Sequence, residues 1–482
     1  MSWVEQHWLS LILLAGYTGA LLYNTYLGSQ ASRGMAGYYV GNREMGGIVV
    51  GISFFATFAS TNTYIGHAGK AYDYGVAWFT MAILLVVFSW ISWRWIGPPL
   101  RRFALQWDAL TIPDFLGSRY ISTSNHQGRH PLVQTSALVI VFASLLYLLA
   151  IFKGAGHLLQ MFIDVPYEAG VGLTLLIVVL YTCVGGFVSV VRTDVMQGLL
   201  MLVGSVVIFY FVTRAAGGVA SISRLSALQE KQFLFELNGG IPFAVLLGVS
   251  LSGSLKLLAD PRQLSRFYAL KDEAEVLRGK WIATIGLAIV LGCLFPVGIY
   301  AHLILTDVTD TDLIVPSLVN DASVFPFWAT DFLVVSILAA AMSSMDSVLL
   351  VAASTLYKNI VAPFRPSSGE LLWTRTAVIG FSIVAALLAL KPPGDIVEIT
   401  IFSGSLYAVC FFPAVVFGLY WQRGSPRTVL WSMAVGISAL LVWIAAGLQQ
   451  ELHEVFPALL LSTLTYYLLS RAETPQEAAA RS

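Results

Sequence analysis

From about residue 8 to residue 470 the chain is a succession of apolar stretches, each about 20 residues long, joined by short polar segments. A helix needs ~20 mostly apolar residues to cross the hydrocarbon core of a bilayer. By that measure thirteen spans are expected, at 8–28, 46–67, 75–99, 132–161, 169–186, 193–213, 241–259, 279–305, 331–358, 373–391, 397–420, 428–447 and 455–470. The fold class is therefore an all-α polytopic membrane protein, a single transmembrane domain with no large soluble portion. Composition agrees. The chain is 57% hydrophobic and 11% charged, where a soluble domain is about a quarter charged. Its 13 Trp, 28 Phe and 41 Gly suit interfacial belts and close helix contacts. Formal net charge is zero, so no bulk electrostatic partner and no nucleic acid is implied.

Thirteen crossings put the termini on opposite sides. No Lys or Arg precedes Arg33, so the first span is expected to be a retained helix with its N-terminus outside. The 27 Lys and Arg then divide into 19 on the cytoplasmic side, 5 outside and 3 (Arg94, Lys153, Lys256) within spans. Arg101, Arg102, Arg119, Arg129, Arg262, Arg266, Lys271, Arg278 and Lys280 are among the cytoplasmic ones, and the acidic loop with Asp307, Asp310, Asp312 and Asp321 is external. This bias predicts a multi-pass protein of the plasma (inner) membrane with a cytoplasmic C-terminus. The polar tail 471–482 is expected to be disordered.

Residues 339–347 read Ala-Ala-Ala-Met-Ser-Ser-Met-Asp-Ser inside an apolar span. On a helix Ala340, Ser343, Ser344 and Ser347 share one narrow face, with Asp346 at its flank. Lipid satisfies none of these groups, so the face looks toward protein, water or an ion. Hydroxyls and freed carbonyls suit a small hard cation such as sodium. Tight packing through small residues, with the serines bonded to their own helix, is the competing reading.

Two spans carry signs of interruption. Phe55-Ala56-Thr57-Phe58-Ala59-Ser60-Thr61-Asn62-Thr63 is dense in hydroxyl and amide groups. The span at 241–259 has Gly248, Ser250, Ser252, Gly253, Ser254 and Lys256, followed by Asp260-Pro261. They lie five spans apart, the spacing of two five-helix units in inverted topology, whose broken helices line transport sites.

At this point the chain resembles the sodium:solute symporter family, over about residues 30 to 425. The segments that carry the likeness are Tyr39-Val40-Gly41-Asn42-Arg43, Thr111-Ile112-Pro113-Asp114-Phe115-Leu116 with Arg119-Tyr120, Tyr181-Thr182 with Gly185-Gly186-Phe187, Thr193-Asp194 with Gln197, Arg266-Phe267 with Ala269 and Lys271-Asp272, and Ala341-Met342-Ser343-Ser344 with Asp346-Ser347. The resemblance implies a LeuT-type core of ten helices (46–213 and 241–420) with one extra helix before (8–28) and two after (428–470). It implies alternating access with Na+ as coupling ion. It places a main sodium site on the carbonyls of Ala56, Ala59 and Ala340 and the hydroxyls of Ser343 and Ser344. A second sodium, bound by some relatives, would fall on Asp194, Ser343, Asp346 and Ser347. Solute contacts would fall on Ser60, Asn62, Thr63, Tyr147, Gly253 and Lys256.

Phe58 and Thr63 stand where certain relatives have polar residues, which argues against a sugar or proline. Lys256 stands where relatives often have an aromatic residue or glycine. Glu44-Met45-Gly46-Gly47-Ile48-Val49 and Val165-Pro166-Tyr167-Glu168 are similar to pantothenate carriers.

A charge within the bilayer costs at least ~2.5–3.5 kcal/mol, so each needs a partner or a wet cavity. Arg94 is read as a snorkelling side chain, Lys153 as snorkelling or as an external vestibule charge, and Asp194 either as a sodium ligand or as a partner of Arg192. Lys256 faces either an anionic solute or Asp346. The function expected is sodium-coupled import of a small organic carboxylate, monocarboxylate or pantothenate-like. The alternatives are a carrier of a neutral or zwitterionic solute, a channel, or a transporter-like sensor joined to a kinase, for which 482 residues are expected to leave no room. No enzyme is expected: no phosphate-binding Gly-x-x-x-x-Gly-Lys-Ser/Thr occurs, and the seven histidines are scattered. The three cysteines suggest neither disulfides nor a zinc site.

Overall fold

A computed structural model describes residues 3–31, 34–121, 127–306, 308–365, 369–421 and 423–473. The expected disorder after residue 473 and the placement of Asp307 lie outside the described residues. The principal helices are α1 (Trp3–Ala31), α2 (Gly47–Phe58), α3 (His67–Tyr74), α4 (Phe79–Ile91), α5 (Gly97–Gln106), α6 (Ile112–Tyr120), α7 (Pro131–Ile163), α8 (Tyr167–Ala215), α9 (Phe243–Ala259), α10 (Pro261–Ala269), α11 (Glu273–Ala301), α12 (Phe327–Thr355), α13 (Glu370–Ala389), α14 (Ile396–Tyr420), α15 (Pro426–Ala445) and α16 (Val455–Ala472). Among the described residues, ten helical stretches are long and apolar enough to cross a membrane.

Ten stretches and thirteen expected spans differ at three places: the helix holding 8–28 is not among the ten, the span 46–67 is broken, and 169–186 and 193–213 lie in one continuous helix. The 49 residues of α8 would be ~74 Å long if straight, more than twice the hydrocarbon thickness. At Gly186 the backbone turns to φ 65°, ψ −170°, and a side chain there would collide with the Tyr38 ring. The expected spans 169–186 and 193–213 lie on either side of that glycine. The 45-residue stretch Asn62–Gln106 bends at Gly75, φ 58°, where an added Cβ would stand 2.0 Å from the Leu234 carbonyl. Only glycine fits such a conformation at such a contact.

The span expected at 46–67 is broken. α2 stops at Phe58, and Ala59 adopts an extended conformation (φ −74°, ψ 98°). The helix restarts through a wide π-type turn at Asn62–Gly66 and continues as α3. Hydroxyls compete with the helical ladder here: the Asn62 amide donates to Ser60 Oγ at 3.2 Å and the Ser60 amide to Thr63 Oγ1 at 3.3 Å. The second break is set by Pro261, which keeps the preceding residue out of the helical region. Asp260 is extended, ends α9 and caps α10, accepting from the Arg262 amide at 2.9 Å.

Two expectations change. The connection 259–278 is not simply a polar loop: all nine residues of α10 are buried, so Arg262 and Arg266 lie inside the protein instead of among surface loop charges. Lys153 does not snorkel; its ammonium is 2.9 Å from Asp312 and is buried. The amphipathic stretch Ile112–Tyr120 does form α6, with Thr111 and Asp114 closing a capping box.

The broken α2 packs against α11, α8 and α12; α9 packs against α4 and α14; and α12, buried along almost its whole length, lies against α7, α8 and α2. α15 and α16 pair with each other beside α14, and α1 lies along α8. The small and hydroxyl residues of α12 thus face the first break.

Candidate functional site

The serine face of α12 meets the end of α2. Ser343 Oγ donates to the Ala56 carbonyl at 2.8 Å and to the Ala340 carbonyl at 3.3 Å; Ser344 Oγ donates to the Thr57 carbonyl at 2.8 Å. All five residues are buried. Ala59 stands at the first residue of the break, where its extended conformation turns the carbonyl out of the ladder. Three of the five positions assigned to the main sodium site, Ala56, Ala340 and Ser343, are therefore joined by these hydrogen bonds; Ser344 bonds the neighbouring Thr57 carbonyl, and Ala59 lies at the break beside them. A hydroxyl keeps lone pairs free while it donates, so the set offers a cation neutral oxygens of the hard type.

One turn further along α12 a charged cluster begins. Asp194 is fully buried, and its Oδ2 accepts from Ser53 Oγ at 2.5 Å, Thr57 Oγ1 at 3.3 Å and Arg266 Nη2 at 3.0 Å. Arg266 also donates to Ser53 Oγ at 3.0 Å, Ser347 Oγ at 2.7 Å, the Arg262 carbonyl at 2.7 Å and Thr57 Oγ1. Arg192 is exposed, so the expected Arg192 partnership is replaced by Arg266. Among the described residues the side-chain hydroxyls that Asp346 accepts from are distant, Ser347 Oγ at 3.2 Å and Thr193 Oγ1 at 3.4 Å. Asp194 Oδ1 has no partner among the described residues. Two carboxylates thus face one guanidinium. A small cavity of ≈ 20 Å³, lined by Tyr39, Thr111, Ser265, Arg266, Ser347 and Ser354 among others, lies beside this cluster.

The residues assigned to solute form a third group. Tyr147 Oη donates to Ser60 Oγ at 3.2 Å, joining α7 to the first break. Thr63 caps the Ser60 amide, and the Asn62 amide group lies 3.4 Å from His67 Nε2. Lys256 is buried, and its ammonium donates to the Thr400 carbonyl and lies 5.3 Å from the centre of the Tyr147 ring. Lys256 does not meet Asp346, which has its own partners on α8 and α12. Gly253, one turn before Lys256, is packed against Met81 and Ile401, with no hydrogen bond to the Ser60–Tyr147 pair. Arg262 reaches the same tyrosine, its guanidinium carbon 3.8 Å from the ring centre, while gripping Asp260 through Nε and Nη2.

Ser53, His67 and Thr400 stand in none of the motifs singled out above, Thr57 and Thr193 stand in motifs but carried no role there, and Arg262 and Arg266 were expected among the loop charges. The signal for the arginines was present: a four-residue spacing after Asp260-Pro261 puts both on one face of a capped helix.

The sodium:solute symporter pattern matches residues 38–436. The chain belongs to the sodium:solute symporter family. It is a multi-pass membrane transporter, a sodium-coupled symporter of a small organic solute with Na+ as coupling ion. The symporter is similar to the sodium/pantothenate symporter of Escherichia coli (strain K12), 30% identical over 446 residues that cover 91% of this chain and 90% of that one. It is 28% identical to the osmoregulated proline transporter OpuE of Bacillus subtilis (strain 168), over 95% and 94% of the two chains. In fold it matches a substrate-bound, outward-open Na+-coupled sialic acid symporter with a TM-score of 0.82 at 19% identity, over 97% of this chain and 98% of that one. The symporter thus has the LeuT-type fold of such proteins.

Proposed function

We propose that this symporter imports a small organic carboxylate, monocarboxylate or pantothenate-like, together with sodium by alternating access. The observation that carries the reading is Lys256: a buried ammonium, one turn before the second break, whose hydrogen-bond partner is a carbonyl and not a carboxylate. A buried cation so placed favours an anion, because a neutral solute leaves its charge unmatched. Pantothenate, proline and sialic acid, the solutes in the relatives' names, all carry a carboxylate.

In this reading the main sodium sits on the carbonyls of Ala56, Ala59 and Ala340 and the hydroxyls of Ser343 and Ser344. A second cation sits by Asp194, Ser343, Asp346 and Ser347. Ser60, Asn62, Thr63, Tyr147, Gly253 and Lys256 line the solute. Thirteen crossings, with repeats at 46–213 and 241–420 flanked by 8–28 and 428–470, put the N-terminus outside. The hydroxyl-to-carbonyl bonds of Ser343 and Ser344 tie the first break to α12, so a sodium ion there ties solute binding to the packing of α2 on α12.

Sodium-stimulated uptake of pantothenate and lactate by reconstituted protein tests this. Lys256→Gln is expected to abolish acid uptake while keeping the sodium-induced thermal shift. Competition by panthenol or lactamide as strong as by the acids would defeat the carboxylate reading in favour of a neutral solute; competition by proline alone would favour a zwitterion.

A further inference from the structure

α10 presents a second cation to the solute site, and the proposed function does not use it. Arg262 is 1% exposed. Its guanidinium stacks 3.8 Å from the centre of the Tyr147 ring, and the Lys256 ammonium lies 5.3 Å from the same centre. Tyr147 in turn holds Ser60 at the first break. Both cations therefore lie against a side chain that reaches from α7 to the broken helix.

The charges around this ring do not cancel. Asp260 is the acid that faces Arg262, and it is already engaged: it caps α10 and takes Nε and Nη2 of Arg262. Lys256 has a carbonyl. Two cations against one carboxylate leave one positive charge inside the protein. The third guanidinium nitrogen, Nη1, is buried and has no partner among the described residues. A guanidinium is a planar fork matched to carboxylate geometry, and its remaining nitrogen is a fixed donor.

We propose that Arg262 is a specificity-determining residue of this symporter, supplying with Lys256 the seat for the carboxylate of an anionic solute. Lys256 gives a mobile point charge; Arg262, pinned by Asp260 and stacked on Tyr147, gives a donor of fixed direction. The arrangement ranks solutes: monoanions first, zwitterions next because their ammonium meets the same surplus, neutral analogues last. This inference rests on the carboxylate reading above and adds a second anchor to it.

The test uses the full-length protein in saturating sodium, with pantothenate and lactate as acids and panthenol and lactamide as neutral counterparts. Affinities are read from thermal shift and from uptake. Arg262→Gln is expected to weaken the acids at least tenfold while leaving the neutral compounds and the sodium-induced shift unchanged, and Arg262→Lys to recover part of the loss. Arg262→Gln strands Asp260, so Asp260→Asn/Arg262→Gln is measured beside it; that pair restores the single surplus charge but not the donor, and is expected to stay weak for acids. Full recovery in the double variant means Arg262 serves only as the partner of Asp260 and overturns the proposal. An unchanged acid-to-neutral ratio in every variant overturns it too. If wild-type protein itself shows no preference for the acids, the carboxylate reading falls first and this inference with it.

Discussion

One short helix feeds two clusters of opposite sign. Arg262 and Arg266 sit one turn apart on α10, with Arg266 Nη1 donating to the Arg262 carbonyl at 2.7 Å. Arg266 enters a group with two carboxyl groups, Asp194 and Asp346, so by formal count that group has one acid more than it has cations. Arg262 enters a group with Lys256 and the single carboxylate Asp260, so that group is one positive charge in surplus. The two surpluses cancel across α10. A buried ionic group is tolerated when its partners are complete and costs several kcal/mol when they are not. A cation entering the first cluster and an anion entering the second complete both, while either alone leaves an imbalance. In the function proposed above, this balance would favour a sodium ion and a carboxylate loading together, with α10 between them.

The comparison breaks most visibly at Arg266. Arg266→Gln leaves Asp194 and Asp346 facing each other with hydroxyls alone. A loss of about 3–5 kcal/mol of stability is expected, read as a fall in the unfolding temperature of purified protein. Sodium should restore more of it than in wild type, since the ion then replaces the guanidinium. A variant as stable as wild type would remove the charge-balance argument.

Asp346→Asn sharpens the same point with less structural damage, because its hydroxyl partners are distant. It cancels the surplus negative charge. The number of sodium ions moved per solute, measured as a charge-to-solute flux ratio, should fall, with acid recognition at Lys256 kept. Lost stability with unchanged coupling would make the acids a structural pair.

The smallest effect belongs to the neutral oxygens. Ser343→Ala or Ser344→Ala removes one ligand of several and should raise the half-saturating sodium concentration about tenfold, equal to ~1.4 kcal/mol, at near-normal expression. Identical sodium curves for both variants and wild type would take the main ion away from α12.

Much of this was legible in the chain. Periodic small and hydroxyl residues at 340, 343, 344 and 347 announced an inward face, and it does meet the first break through Ala56 and Thr57. Asp260-Pro261 announced the second break, because the residue before proline is barred from the helix. Arg262 and Arg266 were misjudged for a physical reason: nine residues rich in charge between apolar spans look the same whether they lie in water or are folded back into the protein. Only partners brought from α2, α7, α8 and α12 decide between those fates, and Ser53, Thr57, Tyr147, Asp194 and Ser347 come from four separate helices.

Lys153 teaches the same lesson in reverse, since its partner Asp312 lies 159 residues away in the short helical turn Thr311–Leu313. Sequence by itself determined that the chain is a bundle of apolar helices, where two of them break, and which small and hydroxyl residues share an inward face, because those depend on local periodicity and on proline and hydroxyl chemistry. Tertiary structure decided which charge faces which, because Coulomb partners inside a membrane protein are set by how helices pack, and packing joins residues that no local pattern relates.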